Sequence, residues 1–222
     1  MLAVRMIDGA AHCRLLQTTR AYALPHLDGD SAGPAVREAH ARDCKERLQR
    51  ADADWDHMTA MRWMACHGPL IGDVRAALDW AFGEGGPAQL GVELLVAAFP
   101  LSGRLALNEE FMRRMRYAID CVSGTGDADM RLKLRLFVAL RSLALNARMS
   151  SAGPYGSDEQ ILRLARAMPD EPSRLTAWIS LWHGAMQRGD YAQATVEATR
   201  WMACAKGCAD PIEEIDARRL RP

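Results

Sequence analysis

The chain has no long apolar run, no net charge and no cysteine pair at metal-binding spacing. A membrane-spanning helix needs about 18 or more consecutive apolar residues, and none occur. Arg5 and Asp8 interrupt the only early apolar stretch, so the N-terminus lacks the anatomy of a signal peptide. A cytoplasmic location with no membrane contact is the default expectation. Lys+Arg 28 balance Asp+Glu 28. Gripping a phosphate backbone needs a clustered positive surface, so direct nucleic-acid contact by this segment is not expected. Arg113, Arg114, Arg116, Arg131, Lys133 and Arg135 form a locally basic stretch, but Glu109, Glu110 and Asp120 interleave with it. That mixture reads as a solvated helix face.

Motifs for chemistry are missing as well. The P-loop pattern of two glycines with four residues between them, followed by Lys and Ser or Thr, does not occur. The glycine-rich stretch Gly83–Gly91 follows a helical pattern, not a strand, and carries no lysine, so it reads as a turn. Cys204 and Cys208 could face one side of a helix, and Cys66 adjoins His67, yet structural zinc needs four ligands at defined spacing. Six scattered cysteines in a mid-sized chain suit free thiols in a reducing compartment. No Gly-x-Ser-x-Gly elbow exists, and none of the six histidines has a recognisable catalytic setting. No catalytic, cofactor-binding or metal residue is assigned, and an enzyme is not expected.

What is present is helix. Hydrophobic residues make up 49% of the chain, ample for a packed core. Leu2–Ile7 is mostly apolar, Asp8-Gly9 is a hairpin dipeptide, and a strand ends near Gln17. Thr18 or Thr19 is the expected N-cap of the helix that follows. Gly33-Pro34 starts the next helix, with Val36, His40, Cys44, Arg47, Leu48 and Ala51 as its stripe. From Ala51 to Gly68 a Trp- and Met-rich segment reads as helical, but its apolar residues do not settle on one face. Ile71, Val74, Leu78 and Phe82 mark a clear helix, closed by the turn Gly83–Pro87. The stretch to about Leu101 is apolar on nearly all sides, so it is buried on more than one face.

Phe111, Met115, Ile119 and Val122 then stripe an amphipathic helix from Leu105 to Val122. Leu132, Leu136, Leu140, Leu143 and Ala147 stripe a long one, ahead of a loop over Ser150–Gly156. Ser157 and Gln160 form a capping box before Ile161, Leu164, Ala165 and Met168, and Pro169 closes that helix. Leu175, Trp178, Trp182 and Ala185 stripe the next, ended by Gly189. Asp190 caps a helix carrying Tyr191, Ala194, Ala198 and Met202, and Asp210-Pro211 with Glu213 starts a last one. From Pro87 on, the first members of helix pairs begin near 87, 127, 172 and 211, a period of about 40 residues. One pair is close to a tetratricopeptide repeat: Trp178, Leu181, Gly189, Tyr191 and Ala194 fit Trp-x2-Leu-x7-Gly-x-Tyr-x2-Ala. Trp182 stands where that repeat has Gly, and Ala185 where it has an aromatic.

One pentapeptide, Arg-Trp-Met-Ala-Cys, occurs twice, at 62–66 and 200–204. It admits two readings, a shared packing role at helix ends or a Met- and Trp-rich partner surface. On the second reading Trp63, Met64, Trp182, Trp201 and Met202 are the candidate partner or ligand surface.

The segment Arg14-Leu15-Leu16-Gln17-Thr18-Thr19-Arg20-Ala21-Tyr22-Ala23 is similar to a signature of large bacterial winged-helix regulators with an NB-ARC-like signal-transduction ATPase. The second block is Asp73-Val74-Arg75-Ala76-Ala77-Leu78-Asp79-Trp80-Ala81-Phe82, which resembles a helix found downstream in the same family. The two blocks cover roughly the first half of the chain. The resemblance implies the region where a second winged helix passes into helical repeats, with residues 1–27 as exit hairpin and junction helix, 28–86 as connecting helices and 87–222 as tetratricopeptide-like repeats. The fold expected is therefore all-α: stacked antiparallel helix hairpins, a tetratricopeptide-like solenoid, with a short N-terminal β-hairpin remnant. The function implied is a non-catalytic sensor or partner-binding module of a transcriptional regulator. It would take a protein partner or effector on its repeat surface. No cofactor is expected in this chain; ATP belongs to the family's ATPase domain. A free-standing protein-interaction adaptor and a small-molecule-binding helical domain are the alternatives.

Overall fold

The computed structural model describes residues 2–7, 10–122, 126–147, 156–168 and 171–206. The Asp8-Gly9 turn, most of the Ser150–Gly156 loop, Pro169, Cys208 and the start at Asp210-Pro211 lie outside them. The protein is all-α, as the apolar spacing predicts. Ahead of the helices, Leu2–Ile7 (β1) and Ala10–Leu15 (β2) pair antiparallel, with Leu2 opposite Leu15 and Ile7 opposite Ala10. The chain divides into two compact units, Met1–Leu94 and Leu95–Pro222.

In the first unit α1 spans Gln17–Gly29 and α2 spans Gly33–Asp54. The predicted cap of α1 is corrected: Leu16 is the N-cap and no side chain caps it, while Thr18 lies inside the helix. α2 opens at Gly33-Pro34, where proline lacks only an N–H that a first turn leaves unpaired anyway. Its buried residues, Ala41, Cys44, Leu48 and Ala51, recur at helical spacing, and burying Leu48 contributes about 2 kcal/mol. Val36, expected on that stripe, is 49% exposed.

The Trp- and Met-rich segment is two pieces, which is why no single face fits it. α2 stops at Asp54, Trp55–His57 makes a 3₁₀ turn, and Thr59 caps α3 (Ala60–His67) by accepting from the Arg62 N–H at 3.4 Å. A 3₁₀ turn over Gly68–Leu70 leads into α4 (Ile71–Ala81), which buries Val74, Ala77, Leu78 and Ala81. α5 follows over Ala88–Arg104. Gly91 permits its close approach, because a Cβ there would stand 3.0 Å from the Phe82 ring and 3.1 Å from the Ala81 Cβ. Lys45 on α2 pairs with Glu93 on α5 at 2.7 Å.

In the second unit α6 (Asn108–Cys121) packs on α7 (Asp127–Asn146). Phe111, Met115, Ile119 and Val122 are all buried, as are Leu136, Leu140 and Leu143. The capping box that starts α8 (Asp158–Ala167) is formed: Ser157 Oγ accepts from Gln160 N–H at 3.3 Å and Gln160 Oε1 accepts from Ser157 N–H at 3.2 Å. α9 (Glu171–Arg188) ends at Gly189, whose φ of +73° lies in the left-handed region. Asp190 then caps α10 (Tyr191–Ala205), accepting from Gln193 N–H at 3.0 Å. Ala194 and Ala198 are buried and Ala185 on α9 is fully buried, so small side chains carry the close α9–α10 packing. Among the described residues no helix is long and apolar enough to cross a membrane.

Candidate functional site

The start of α2 and the end of α4 frame a cleft of about 480 Å³ in the first unit. Gly33, Pro34 and Arg37 line it from α2, and Asp79, Trp80 and Glu84 from α4 and the turn after it. Glycines keep this region tight. A Cβ at position 33 would run into the Leu27 carbonyl oxygen, and one at 83 would stand 3.1 and 3.2 Å from the carbonyl oxygens of Asp79 and Trp80. The block Asp73–Phe82 thus divides by role. Val74, Ala77, Leu78 and Ala81 face the core, and Asp79 and Trp80 line the cleft. Asp73 does neither: its carboxylate lies 3.7 Å from Arg47, which is also 3.7 Å from Asp43.

The proposed Met and Trp surface is corrected at two of its three tryptophans, Trp63 and Trp201. Trp63 is 0% exposed, and its indole N–H donates to the Ala51 carbonyl at 2.6 Å. It packs edge-on against Trp55, with ring centroids 5.4 Å apart, and lies 5.4 Å from the His67 ring. Trp201 is buried with Leu175 and Ala205, with Trp178, Ile179, Met202 and Cys204 packed around them. Neither indole is open to a partner. Both copies of the repeated pentapeptide bury the tryptophan, expose the alanine and half-bury the cysteine. A helix places one residue in each turn on the core, and the largest apolar side chain takes that place. Met64 is 37% exposed, while Trp182 and Met202 are half-buried. The exposed apolar residues near Trp63 are Met61, Met64 and Trp55; Met61 and Trp55 belong to the Trp- and Met-rich segment but lie outside the expected partner surface.

The second unit holds a charged centre that nothing in the sequence announced. Arg141 on α7 is 6% exposed and pairs with Asp158, the first residue of α8. The other Asp158 oxygen pairs with Arg188 on α9 at 2.8 Å. The Arg141 guanidinium lies against the backbone of Gly184. Next to it, His183 has its pKa pushed below the ordinary imidazole value, first by burial and then by the Arg141 charge. A buried Glu197 accepts from Gln193 and pairs with Arg200 at 3.0 Å, and Arg200 in turn lies 5.5 Å from the Trp178 ring centroid.

Cys44 and His40 stand one helical turn apart, with Sγ and Nε2 3.6 Å from each other. The pairing resembles a nucleophile and its base, but the chemistry runs the other way. Burial first, then Asp73, pushes the Cys44 thiol up to about 12, so it stays protonated and unreactive. Cys66 is half-buried, and His67 is held 3.0 Å from Asp54. Among the described residues no three His, Cys, Asp or Glu side chains gather as metal ligands do. No family model, no curated protein and no solved structure matches this chain.

Proposed function

We propose that this chain is a non-catalytic helical-repeat module that senses an effector or binds a protein partner. On this reading it relays binding to ATPase and DNA-binding domains of a longer cytoplasmic winged-helix regulator. The β1–β2 hairpin is then the remnant of a winged helix, and α5 to α10 are stacked tetratricopeptide-like pairs. The α9–α10 pair carries the reading. Gly189 adopts the left-handed turn, Asp190 caps α10, and Ala185, Ala194 and Ala198 supply the small contacts such a helix pair needs. The α4 block adds support, since its apolar positions pack inward and leave Asp79 and Trp80 at a cleft. Function in such a module lies in surfaces, not in a reacting group. Isothermal titration of the full chain against ATP and against duplex DNA tests the reading. Neither ligand is expected to bind, and tight binding of ATP would overturn it.

A further inference from the structure

We propose that the cleft between α2 and the end of α4 binds a guanidinium group, an arginine side chain presented by a peptide partner. The inference rests on the partner-binding reading and names the chemistry of its site. Three observations carry it. The first is Trp80, half-buried and lining the cleft, outside the set Val74, Ala77, Leu78 and Ala81 that its helix buries. An indole that borders open space can stack a planar cation, and arginine stacks on it best. The second is charge. Arg37 and Asp79 are each engaged within the protein, whereas Glu84 is exposed and has no ion-pair partner among the described residues. Glu84 is therefore the carboxylate that a ligand's N–H groups can reach, and a guanidinium offers a pair of them in one plane. The third is the helix end. α4 stops at Ala81, and its last carbonyls put partial negative charge on the side where Asp79, Trp80 and Gly83 line the cleft. With Arg37 and Asp79 offsetting each other, an anion would meet that end and Glu84, so acidic ligands are disfavoured.

The test is a titration of the full chain with N-acetyl-arginine amide, followed by the indole N–H resonance of Trp80 in two-dimensional NMR. A Trp80→Phe variant assigns that resonance. The resonance is expected to shift saturably. The lysine analogue should bind more weakly and the glutamate analogue should give no saturable shift. Glu84→Gln changes an exposed side chain and leaves packing alone; it should weaken arginine binding roughly threefold, as expected for a single open ion pair. Trp80→Leu, read from other cleft resonances, should weaken it further, roughly fivefold. Absence of a saturable Trp80 shift, or equal binding in Glu84→Gln, overturns the proposal, as does tighter binding of the glutamate analogue. Those outcomes leave the partner-binding reading standing, because that reading fails through ATP binding instead.

Discussion

Replacing Gly184 with alanine sets two effects against each other. In a helix interior alanine is favoured over glycine by about 1 kcal/mol. At this position the added Cβ would fall on the Arg141 guanidinium. Arg141 must then leave its place, and its side chain is 7% exposed, so it has little water to turn to. Separating a buried ion pair costs about 3–5 kcal/mol. Asp158 is 45% exposed and keeps Arg188, so the cost falls somewhat below that range, at roughly 2–3 kcal/mol. The net expectation for Gly184→Ala is a loss of about 1–2 kcal/mol, or roughly 2–8 °C in Tm for a chain of this size. Urea unfolding followed by far-UV circular dichroism measures it. The same substitution in an Arg141→Met background meets no guanidinium and should stabilise by about 1 kcal/mol. A double-mutant cycle should therefore give a coupling of about 2–3 kcal/mol between the two positions. If Gly184→Ala stabilises the native chain, or acts equally in both backgrounds, the account of Arg141 as a buried, position-locked charge is refuted.

Cys44 should resist alkylation at pH 8 in the folded chain and react only on unfolding, as mass spectrometry of peptides from labelled protein can show. Trp63→Phe removes the bond to Ala51 and leaves a cavity, so it should cost about 2–4 kcal/mol, whereas Met61→Ser, at an 85% exposed site, should change stability by less than about 0.5 kcal/mol. Thermal melts of the two variants distinguish these outcomes. His183 has its folded-state pKa below that of the unfolded chain, so the unfolded state binds more protons between the two values. Its contribution is complete above the unfolded value and is lost as pH falls through the folded one, so His183→Gln should flatten the stability profile on the acid side of neutrality. An unchanged slope in denaturation midpoints across that window would contradict this.

Local features were legible in the sequence because their causes are local. The Ser157 and Gln160 box and the Gly189-Asp190 turn each need only residues within three positions, and both appear as predicted. Thr18 and Thr19 looked like caps by residue type, but the helix begins at Gln17, where no side chain caps it. The 51–68 segment defeated periodicity because a break at Trp55–His57 resets the helical phase, and phase cannot be averaged across a break. Composition could mark Trp63 and Trp201 as unusual but could not say which way they face, and both face inward. The Arg141 centre draws on α7, α8 and α9, and the cleft on α2 and α4. Such sites are set by which helices become neighbours, and spacing along one helix carries no record of that.

The inward tryptophans have an optical consequence. Trp63 belongs to the stretch before Leu94 and Trp201 to the stretch after it, so each compact unit holds one fully packed indole. An indole moved from an apolar interior to water shifts its emission to longer wavelength. A chain stripped of its other tryptophans would thus carry two colour-changing reporters, and deleting either one leaves a probe of a single unit. Coincident transitions from the two probes would mark one cooperative protein, and separated transitions would mark two that melt in turn.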